Sequence, residues 1–267
     1  MATRETYTVT VLLDVNDLQD VDDRAESRSY IVADRLSGLA AIIDAVIENV
    51  DRDLRILKEL GLTLLYAVET HIHADHITGA SMIKDRTDAQ ILYGGGAEGV
   101  VTGADLFMHD GQEVRIGDTR LQALATPGHT DGCTSYVLPG AVFTGDTMFI
   151  RGNGRTDLQG GSPEKLFDSV RTKLFALPDA TIVYPGHDYH GRISSTIAEE
   201  KRFNERLNLS IDKDTFVEMM NNRKTPRPAK MDIALPANMR AGRMADQGQA
   251  ANRVAVANAV FRRNPIA

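Results

Sequence analysis

The sequence has a single cysteine, Cys133, and no tryptophan among its 267 residues. One cysteine cannot form an internal disulfide, so the chain is expected to suit a reducing compartment. Free cysteine is among the most often buried residue types, which predicts that Cys133 is a small core residue rather than a nucleophile. A chain of this length can bury a sizeable core, so it does not need disulfides or structural metals for stability.

Long apolar runs and an excess of positive charge are also absent. No run approaches the roughly 20 apolar residues that cross a bilayer, so no membrane partner is expected. Lys and Arg number 30 against 37 Asp and Glu, a net charge of -7, which argues against a general nucleic-acid partner. The first residues lack the apolar segment of a signal peptide and the composition of a transit peptide, so a cytoplasmic location is expected.

Strand signals recur along the chain as short apolar runs bounded by Gly and Pro. Four such runs lie between residues 113 and 143, and this close spacing indicates a sandwich of sheets. Residues 29–33 and 39–43 are predicted to form a hairpin. The predicted strands are 5–13, 29–33, 39–43, 64–69, 90–93, 113–116, 120–125, 135–138, 141–143 and 181–184.

Helices are predicted at 51–60 and 79–84, and two more are predicted to begin at Ser162 and Thr196, where capping residues precede apolar positions of helical spacing. Two polar stretches are interpreted as loops. The acidic interval 14–23 holds five aspartates and is predicted to be solvated. The triple glycine 94–96 is predicted to be a flexible turn, because no Lys-Ser/Thr pair follows it.

A dense group of potential metal ligands lies between residues 70 and 79, directly after the apolar run 64–68. Its potential ligands are His71, His73, Asp75 and His76. Imidazoles and carboxylates are ligands of zinc, iron and manganese, and binding a cation removes the cost of burying several titratable groups without partners. The segment is therefore predicted to form part of a metal site.

Four strand-like runs end at a turn that carries a potential ligand. These ligands are His71, His129, Asp146 and His187. In the last three, a glycine or proline lets the backbone turn sharply beside the ligand. If the four strands lie side by side, the four side chains meet at one end of the sandwich.

Two metal arrangements are compatible with these residues. A two-metal hydrolytic site could place His71, His73 and His129 on one cation, with Asp146 bridging to a second. Asp75, His76 and His187 would then complete the second set. Alternatively, His71, His129 and Asp146 alone could form the two-histidine, one-carboxylate site that suits iron(II) and oxygen. The ligand types alone do not decide between them.

The histidine motif, followed by His129, Asp146 and His187, resembles that of the metallo-β-lactamase superfamily. Three further runs resemble persulfide dioxygenases within that superfamily, and the likeness spans residues 28–243. These runs are 144–157, 184–191 and 236–240. The resemblance implies an α/β fold, the αββα sandwich, in a single domain.

On this basis the domain is expected to span residues 1–243, with the acidic interval 14–23 included. An alanine-rich tail over residues 244–267 would follow, with a composition that suits a helix. A homodimer is expected from the resemblance alone.

The family implies one Fe(II) per chain, held by His71, His129 and Asp146, with glutathione persulfide and O2 as substrates and sulfite and glutathione as products. Outer groups that orient ligands and contact solvent or substrate would complete the catalytic centre. These outer groups are His73, Asp75, His76, His187 and Tyr189. Residues expected at the glutathione pocket are Arg155, Arg240, Tyr189 and Gly79. From the residues alone, a salt bridge with Asp157 is an equal alternative for Arg155.

Two other functions share these features. A glyoxalase II-like thioester hydrolase would use the same histidine motif with two metals, and it also binds glutathione. A metal-stabilised binding or regulatory protein would show no turnover. The persulfide dioxygenase is the hypothesis that accounts for the three further runs, and the number of metal ions per chain discriminates it from the hydrolase.

Overall fold

The computed structural model of the protein describes residues 6–15 and 26–244. Within them, twelve strands form two six-stranded sheets, one from each half of the chain. The first sheet contains β1 (Tyr7–Val15), β2 (Glu26–Asp34), β3 (Leu39–Ile43), β4 (Thr63–Glu69), β5 (Gln90–Gly94) and β6 (Leu106–Met108). The second contains β7 (Glu113–Ile116), β8 (Thr119–Ala125), β9 (Thr134–Leu138), β10 (Ala141–Gly145), β11 (Ile182–Pro185) and β12 (Ser195–Thr196).

Strand order follows chain order in both sheets. In the first, β1 to β3 are antiparallel and β3 to β6 are parallel. In the second, β7 to β10 are antiparallel, β10 pairs with β11 in parallel, and β12 closes the edge. Because a parallel pair needs a crossover, helices lie between these strands on the outer faces of the sheets.

The helices of the described chain are α1 (Val50–Glu59), α2 (Ala80–Arg86), α3 (Pro163–Ser169), α4 (Ile197–Phe203), α5 (Lys213–Asn222) and α6 (Met231–Asn238). Ser162 caps α3 by accepting from the Lys165 amide, and α3 continues as a wider π-helical turn over Val170–Leu174. A reciprocal capping box between Thr196 and Glu199 starts α4. The predicted helix starts are therefore confirmed. None of these helices combines the length and apolarity needed to span a bilayer.

Three apolar layers hold the sheets and helices together. The layer between the sheets joins Tyr30 of β2 to Phe143 of β10, with ring centroids 5.1 Å apart. A second layer packs α1, α2 and α6 on the first sheet, and a third packs α3, α4 and α5 on the second. The order helix, sheet, sheet, helix confirms the predicted αββα sandwich.

Several local predictions need correction. Asp14 is predicted to lie in a solvated loop, but it belongs to β1, is buried, and accepts hydrogen bonds from Ser29 and Arg52. The triple glycine is a tightly packed turn, since a Cβ on Gly95 would lie 2.4 Å from the His109 ring. Strand β6 and helices α5 and α6 were not predicted. The rest of the acidic interval, 16–23, and the tail from 245 lie outside the described residues.

Candidate metal centre

The four predicted ligand-bearing turns meet at one edge of the two sheets. His71 follows β4, His129 follows β8, Asp146 follows β10 and His187 follows β11. The Asp146 carboxylate lies between two rings, with Oδ2 3.6 Å from His129 Nε2 and Oδ1 3.6 Å from His187 Nε2. One ligand atom each from His71, His129 and Asp146 lies within 4.8 Å of the others. All four side chains are buried or nearly so.

Backbone and hydroxyl groups behind the rings set their orientation. The Nδ1 of His129 lies 2.7 Å from the Arg155 carbonyl oxygen, which can only accept, so Nδ1 carries the proton. The other ring nitrogen, Nε2, faces Asp146. His71 Nδ1 is 2.9 Å from the Thr70 hydroxyl, which donates its own proton to Asp44 and therefore accepts from His71. Such outer partners fix the tautomer of a metal-binding histidine.

Two glycines let the backbone approach Asp146 closely. A Cβ on Gly186 would lie 2.6 Å from Asp146 Oδ1, and a Cβ on Gly154 would lie 2.4 Å from the Asp146 carbonyl oxygen. Real side chains do not tolerate such distances. The two positions therefore require glycine to leave the carboxylate in place.

The electrostatics of the cluster keep His71 neutral. Burial, followed by the neighbouring His73 and His129 rings, lowers the pKa of His71 well below its usual value. A neutral imidazole is the form that binds a metal ion. The lowered pKa therefore agrees with a ligand role.

A bound cation would satisfy buried atoms that have no hydrogen-bond partner within the described residues. These atoms are Asp146 Oδ1, His73 Nδ1 and His76 Nε2. Leaving several polar atoms buried and unpaired is costly, and histidine nitrogens with a carboxylate oxygen are a normal donor set for Zn²⁺ or Fe²⁺. The residues thus fit a metal ion, and metal binding follows from this donor set.

Asp75 connects the remaining predicted residues. Its Oδ2 lies 3.0 Å from His76 Nδ1 and 3.6 Å from His187 Nε2, and it accepts a hydrogen bond from the Ser27 hydroxyl at 3.2 Å. Burial alone would raise the pKa of Asp75, but the charges of His76 and His187 outweigh it and hold this pKa well below its usual value. Asp75 is therefore an anion that positions two rings beside the centre.

Sequence reasoning missed two buried carboxylates, Asp44 and Glu69. Both lie 3.3 Å from His73 Nε2. Burial alone would lower the pKa of His73, but Asp44 and Glu69 outweigh it and raise this pKa well above its usual value. Asp44 also accepts from the Thr70 amide at 2.7 Å and from the Thr70 hydroxyl at 2.8 Å. One feature of the sequence could have identified them: each acid directly follows an apolar run predicted to be a strand, as the predicted ligands do.

The predicted substrate residues lie in different surroundings. Tyr189 is half exposed, and its ring is parallel to His187 with centroids 6.2 Å apart. Arg240, at the end of α6, donates from Nε to the Arg243 carbonyl at 3.0 Å. Gly79 is buried, and both its amide and its carbonyl are paired within the backbone. A Cβ there would lie 2.5 Å from Val50, so packing accounts for this glycine and it has no unpaired polar group for a substrate.

Arg155 forms a salt bridge with Asp157, which the sequence left open as an alternative to substrate contact. Nε and Nη2 donate to the two oxygens of Asp157 at 2.7 and 2.8 Å, and Nη1 donates to the Pro226 carbonyl at 2.6 Å. This bidentate pair occupies one edge of the guanidinium. Substrate contact by Arg155 stays a prediction.

The metallo-β-lactamase superfamily profile matches residues 23–187, more than half of the chain. The chain belongs to this superfamily. It is 45% identical over 221 residues to the human mitochondrial persulfide dioxygenase ETHE1, covering 80% of this chain and 84% of that one. A crystal structure of ETHE1 from Myxococcus xanthus superposes with a TM-score of 0.82 at 42% identity, over 88% of this chain and all of that one.

A hydrolase of the same superfamily is also similar. The hydroxyacylglutathione hydrolase of Brucella anthropi is 40% identical over 168 residues, covering 62% of this chain and 63% of that protein. This likeness covers less of the chain than the likeness to ETHE1. Within the superfamily the chain therefore belongs with the persulfide dioxygenases, and it is an enzyme rather than a non-catalytic metal protein.

Proposed function

We propose that the protein is an iron(II)-dependent dioxygenase that converts glutathione persulfide, O2 and water to glutathione and sulfite. The observation that carries the proposal is the buried group of two histidines and one carboxylate, His71, His129 and Asp146. This set suits non-haem iron(II), because it leaves coordination positions open. The similarity to ETHE1 over most of the chain gives the same reaction class.

Iron(II) bound to these three residues would supply open positions and the redox chemistry that O2 requires. The protein residues bind and orient. The Arg155 carbonyl holds His129 and the Thr70 hydroxyl holds His71. Asp75 is an anion and lies beside His76 and His187. It would stabilise the positive charge on either ring when that ring takes a proton released at the outer sulfur of the persulfide. The half-exposed ring of Tyr189 lies parallel to the buried ring of His187.

Oxygen consumption by iron-loaded protein tests the proposal. Protein reconstituted anaerobically with one Fe(II) per chain should consume one O2 per glutathione persulfide and release an equal amount of sulfite. Asp146→Asn should lose iron and activity together, because the charge of the only carboxylate in the ligand set is removed. Wild-type protein that holds one iron and consumes no O2 would refute the proposal.

A two-metal thioester hydrolase is the second candidate, favoured by the additional group formed by His73, Asp75 and His76. It predicts two zinc or iron ions per chain and thiol release from S-lactoylglutathione. His76→Ala separates the candidates. The hydrolase should lose a metal ion and most of its activity, whereas the one-iron dioxygenase should retain its iron.

Two further features belong to this proposal as predictions. One is a cytoplasmic location, although the human relative is described as mitochondrial. A homodimer is expected from the resemblance. Cell fractionation and light scattering of the purified chain would test them separately.

A further inference from the structure

The histidine loop, residues 70–79, joins β4 to α2 as an irregular segment. Backbone groups in such a segment cannot pair within a regular element, so the buried ones need partners from elsewhere in the chain. Two buried side-chain amides supply several of these partners. Gln159 Nε2 donates to the Ile72 carbonyl at 2.7 Å, and Asn238 bonds to three further groups of the loop.

Asn238, the last residue of α6, contacts the histidine loop at three points. Its Nδ2 donates to the carbonyls of His73 and His76, each at 2.8 Å. Its Oδ1 accepts from the Thr78 amide at 2.9 Å. A carbonyl only accepts and an amide N–H only donates, so these partners fix the orientation of the side chain. The fully buried Asn238 therefore holds the loop from residue 73 to residue 78.

The segment that follows Asn238 is itself packed against the loop and the start of α2. The Ala241 carbonyl accepts from the Ser81 amide at 3.1 Å and from the Ser81 hydroxyl at 2.5 Å. A Cβ on Gly242 would lie 2.2 Å from the Thr78 carbonyl oxygen, so the two backbones are in direct contact. Asn238 is thus presented to the loop from a fixed position.

The three hydrogen bonds act on a row of imidazole rings. The centroid of the His73 ring lies 4.1 Å from that of the ligand His71 and 4.3 Å from that of His76. Because these rings are in contact, a shift of the backbone at either bonded carbonyl would move the row. Both ends of the Asn238 side chain are engaged by the loop backbone, so Asn238 acts on position and not as a ligand.

We propose that Asn238 is a positioning residue of the metal centre, which holds the histidine loop so that His73 and His76 keep their places beside His71. The placement of the rings follows from the geometry alone, and its kinetic consequence rests on the proposed function. Aspartate has the same shape but would set a second acceptor oxygen against two carbonyl oxygens. Glutamine is one methylene longer and does not fit the same three partners.

Nuclear magnetic resonance of the full chain, loaded with one equivalent of diamagnetic zinc, tests the placement. Asn238→Asp keeps the acceptor for Thr78 and loses both donors, and Asn238→Ala loses all three hydrogen bonds without adding charge. In both variants the imidazole ¹⁵N signals of His73 and His76 should shift from their wild-type positions. The signals of His109, an exposed residue after β6, should stay unchanged.

Asn208→Asp is the matched control. Asn208 Nδ2 donates to the Asn204 carbonyl at 2.7 Å, and its Oδ1 accepts from the Ser210 amide at 3.0 Å, so the same substitution removes a donor and keeps an acceptor. The control should lower the thermal midpoint and leave the signals of His73 and His76 and the kcat unchanged. It separates a general loss of stability from a change in ring position.

Iron content and kinetics give the second readout. Asn238→Asp should still hold one iron per chain, because the Thr70 hydroxyl and not Asn238 holds the ligand His71. Its kcat with glutathione persulfide should fall at least about ten-fold, as is typical when an outer partner of a metal site is lost. Its KM should stay within about two-fold, since Asn238 bonds to the loop and not to the substrate.

Hydrogen exchange of the wild type tests the contacts even where a variant does not fold. The Thr78 amide and both side-chain amide protons of Asn238 should exchange at least about a hundred-fold more slowly than in the unfolded chain. Rapid exchange would refute the proposal. Unchanged signals of His73 and His76, wild-type kcat in a folded Asn238 variant, or equal effects in the Asn208 control would also refute it. If the signals shift as expected but the wild type consumes no O2, the positioning role stands and the dioxygenase is refuted.

Discussion

Replacing Asp44 by asparagine should weaken both stability and metal binding, although Asp44 contributes no ligand in the proposed centre. The carboxylate accepts two hydrogen bonds from Thr70, at 2.7 and 2.8 Å, and lies 3.3 Å from His73 Nε2. Asparagine keeps the size, and it also tolerates the left-handed backbone of this residue (φ 53°) better than alanine does. The substitution therefore changes charge and one acceptor with little change in shape.

The expected magnitudes follow from these contacts. Asparagine has one acceptor oxygen in place of two, so it can accept from the Thr70 amide but not also from the Thr70 hydroxyl. A hydrogen bond to a charged group contributes about 1.5–3 kcal/mol, so the free energy of unfolding should fall by about that amount. Thr70 in turn holds His71 through its hydroxyl, at 2.9 Å from Nδ1. Loss of an outer partner of a ligand typically lowers metal affinity by about 10–100-fold. Urea unfolding of the metal-free protein and anaerobic competition with an iron chelator measure the two effects.

Asp34→Asn is the matched control. Asp34 is equally buried and accepts hydrogen bonds from Ser37 and Thr119, but it ends β2 at the edge of the sheet away from Ser27 and the metal centre. The Asp34→Asn variant should lose about as much free energy of unfolding as Asp44→Asn does, and it should keep the iron affinity of the wild type. If Asp44→Asn binds iron as tightly as the wild type, or if the control loses affinity equally, Asp44 does not act through the ligand His71.

Three further predictions follow. Burial raises the pKa of Cys133 to about 12, so iodoacetamide at pH 8 should label this thiol in denaturant but not in the native protein. Rapid labelling of the native protein would contradict the buried position. Burial also raises the pKa of Asp53 from 3.8 to about 6, so the folded state holds this proton more tightly. The protonated Asp53 contributes at most about 3 kcal/mol to the free energy of unfolding; this contribution is full below pH 4 and is lost as the pH rises through 6. Urea unfolding of the wild type and of Asp53→Asn at pH 4 to 7 should show this loss as a falling difference between their free energies of unfolding. A difference that does not change with pH would refute it. Gly186→Ala would place a Cβ 2.6 Å from Asp146 Oδ1 and should lower iron affinity at least about ten-fold. Gly111→Ala is the control, because a Cβ there meets nothing within 4 Å, and it should leave iron affinity unchanged. Equal affinities of the two variants in chelator competition would show that the loop at Gly186 moves aside.

Much of the fold was predictable because its signals are local. Alternating apolar residues, glycine at turns and the capping residues Ser162 and Thr196 depend on neighbours within a few positions, and the elements that they predict are present. Short strand β6 and helix α6 were missed for a physical reason. β6 has only three residues, and α6 includes Pro236 inside the helix, so neither shows a recognisable period.

The candidate site likewise contains residues that the sequence could predict and residues that it could not. His71, His129, Asp146 and His187 could be recognised from the sequence because each stands beside a strand end, three of them with a glycine or proline in the turn, and the structure brings them together. Asp44 had no such turn. An acid after a strand is common, and only the fold shows that this one contacts Thr70 and His73.

By itself, then, the sequence determined the donor atoms available for a metal, the turns that carry them and most of the strands and helices that hold those turns. The tertiary structure alone decided which polar groups remain unpaired. Arg155 is paired with Asp157 two residues away, while Asp146 Oδ1, His73 Nδ1 and His76 Nε2, from separate segments, have no hydrogen-bond partner among the described residues. Pairing depends on distances of a few ångström between segments far apart in the chain, and those distances are set only when the sheets and helices pack.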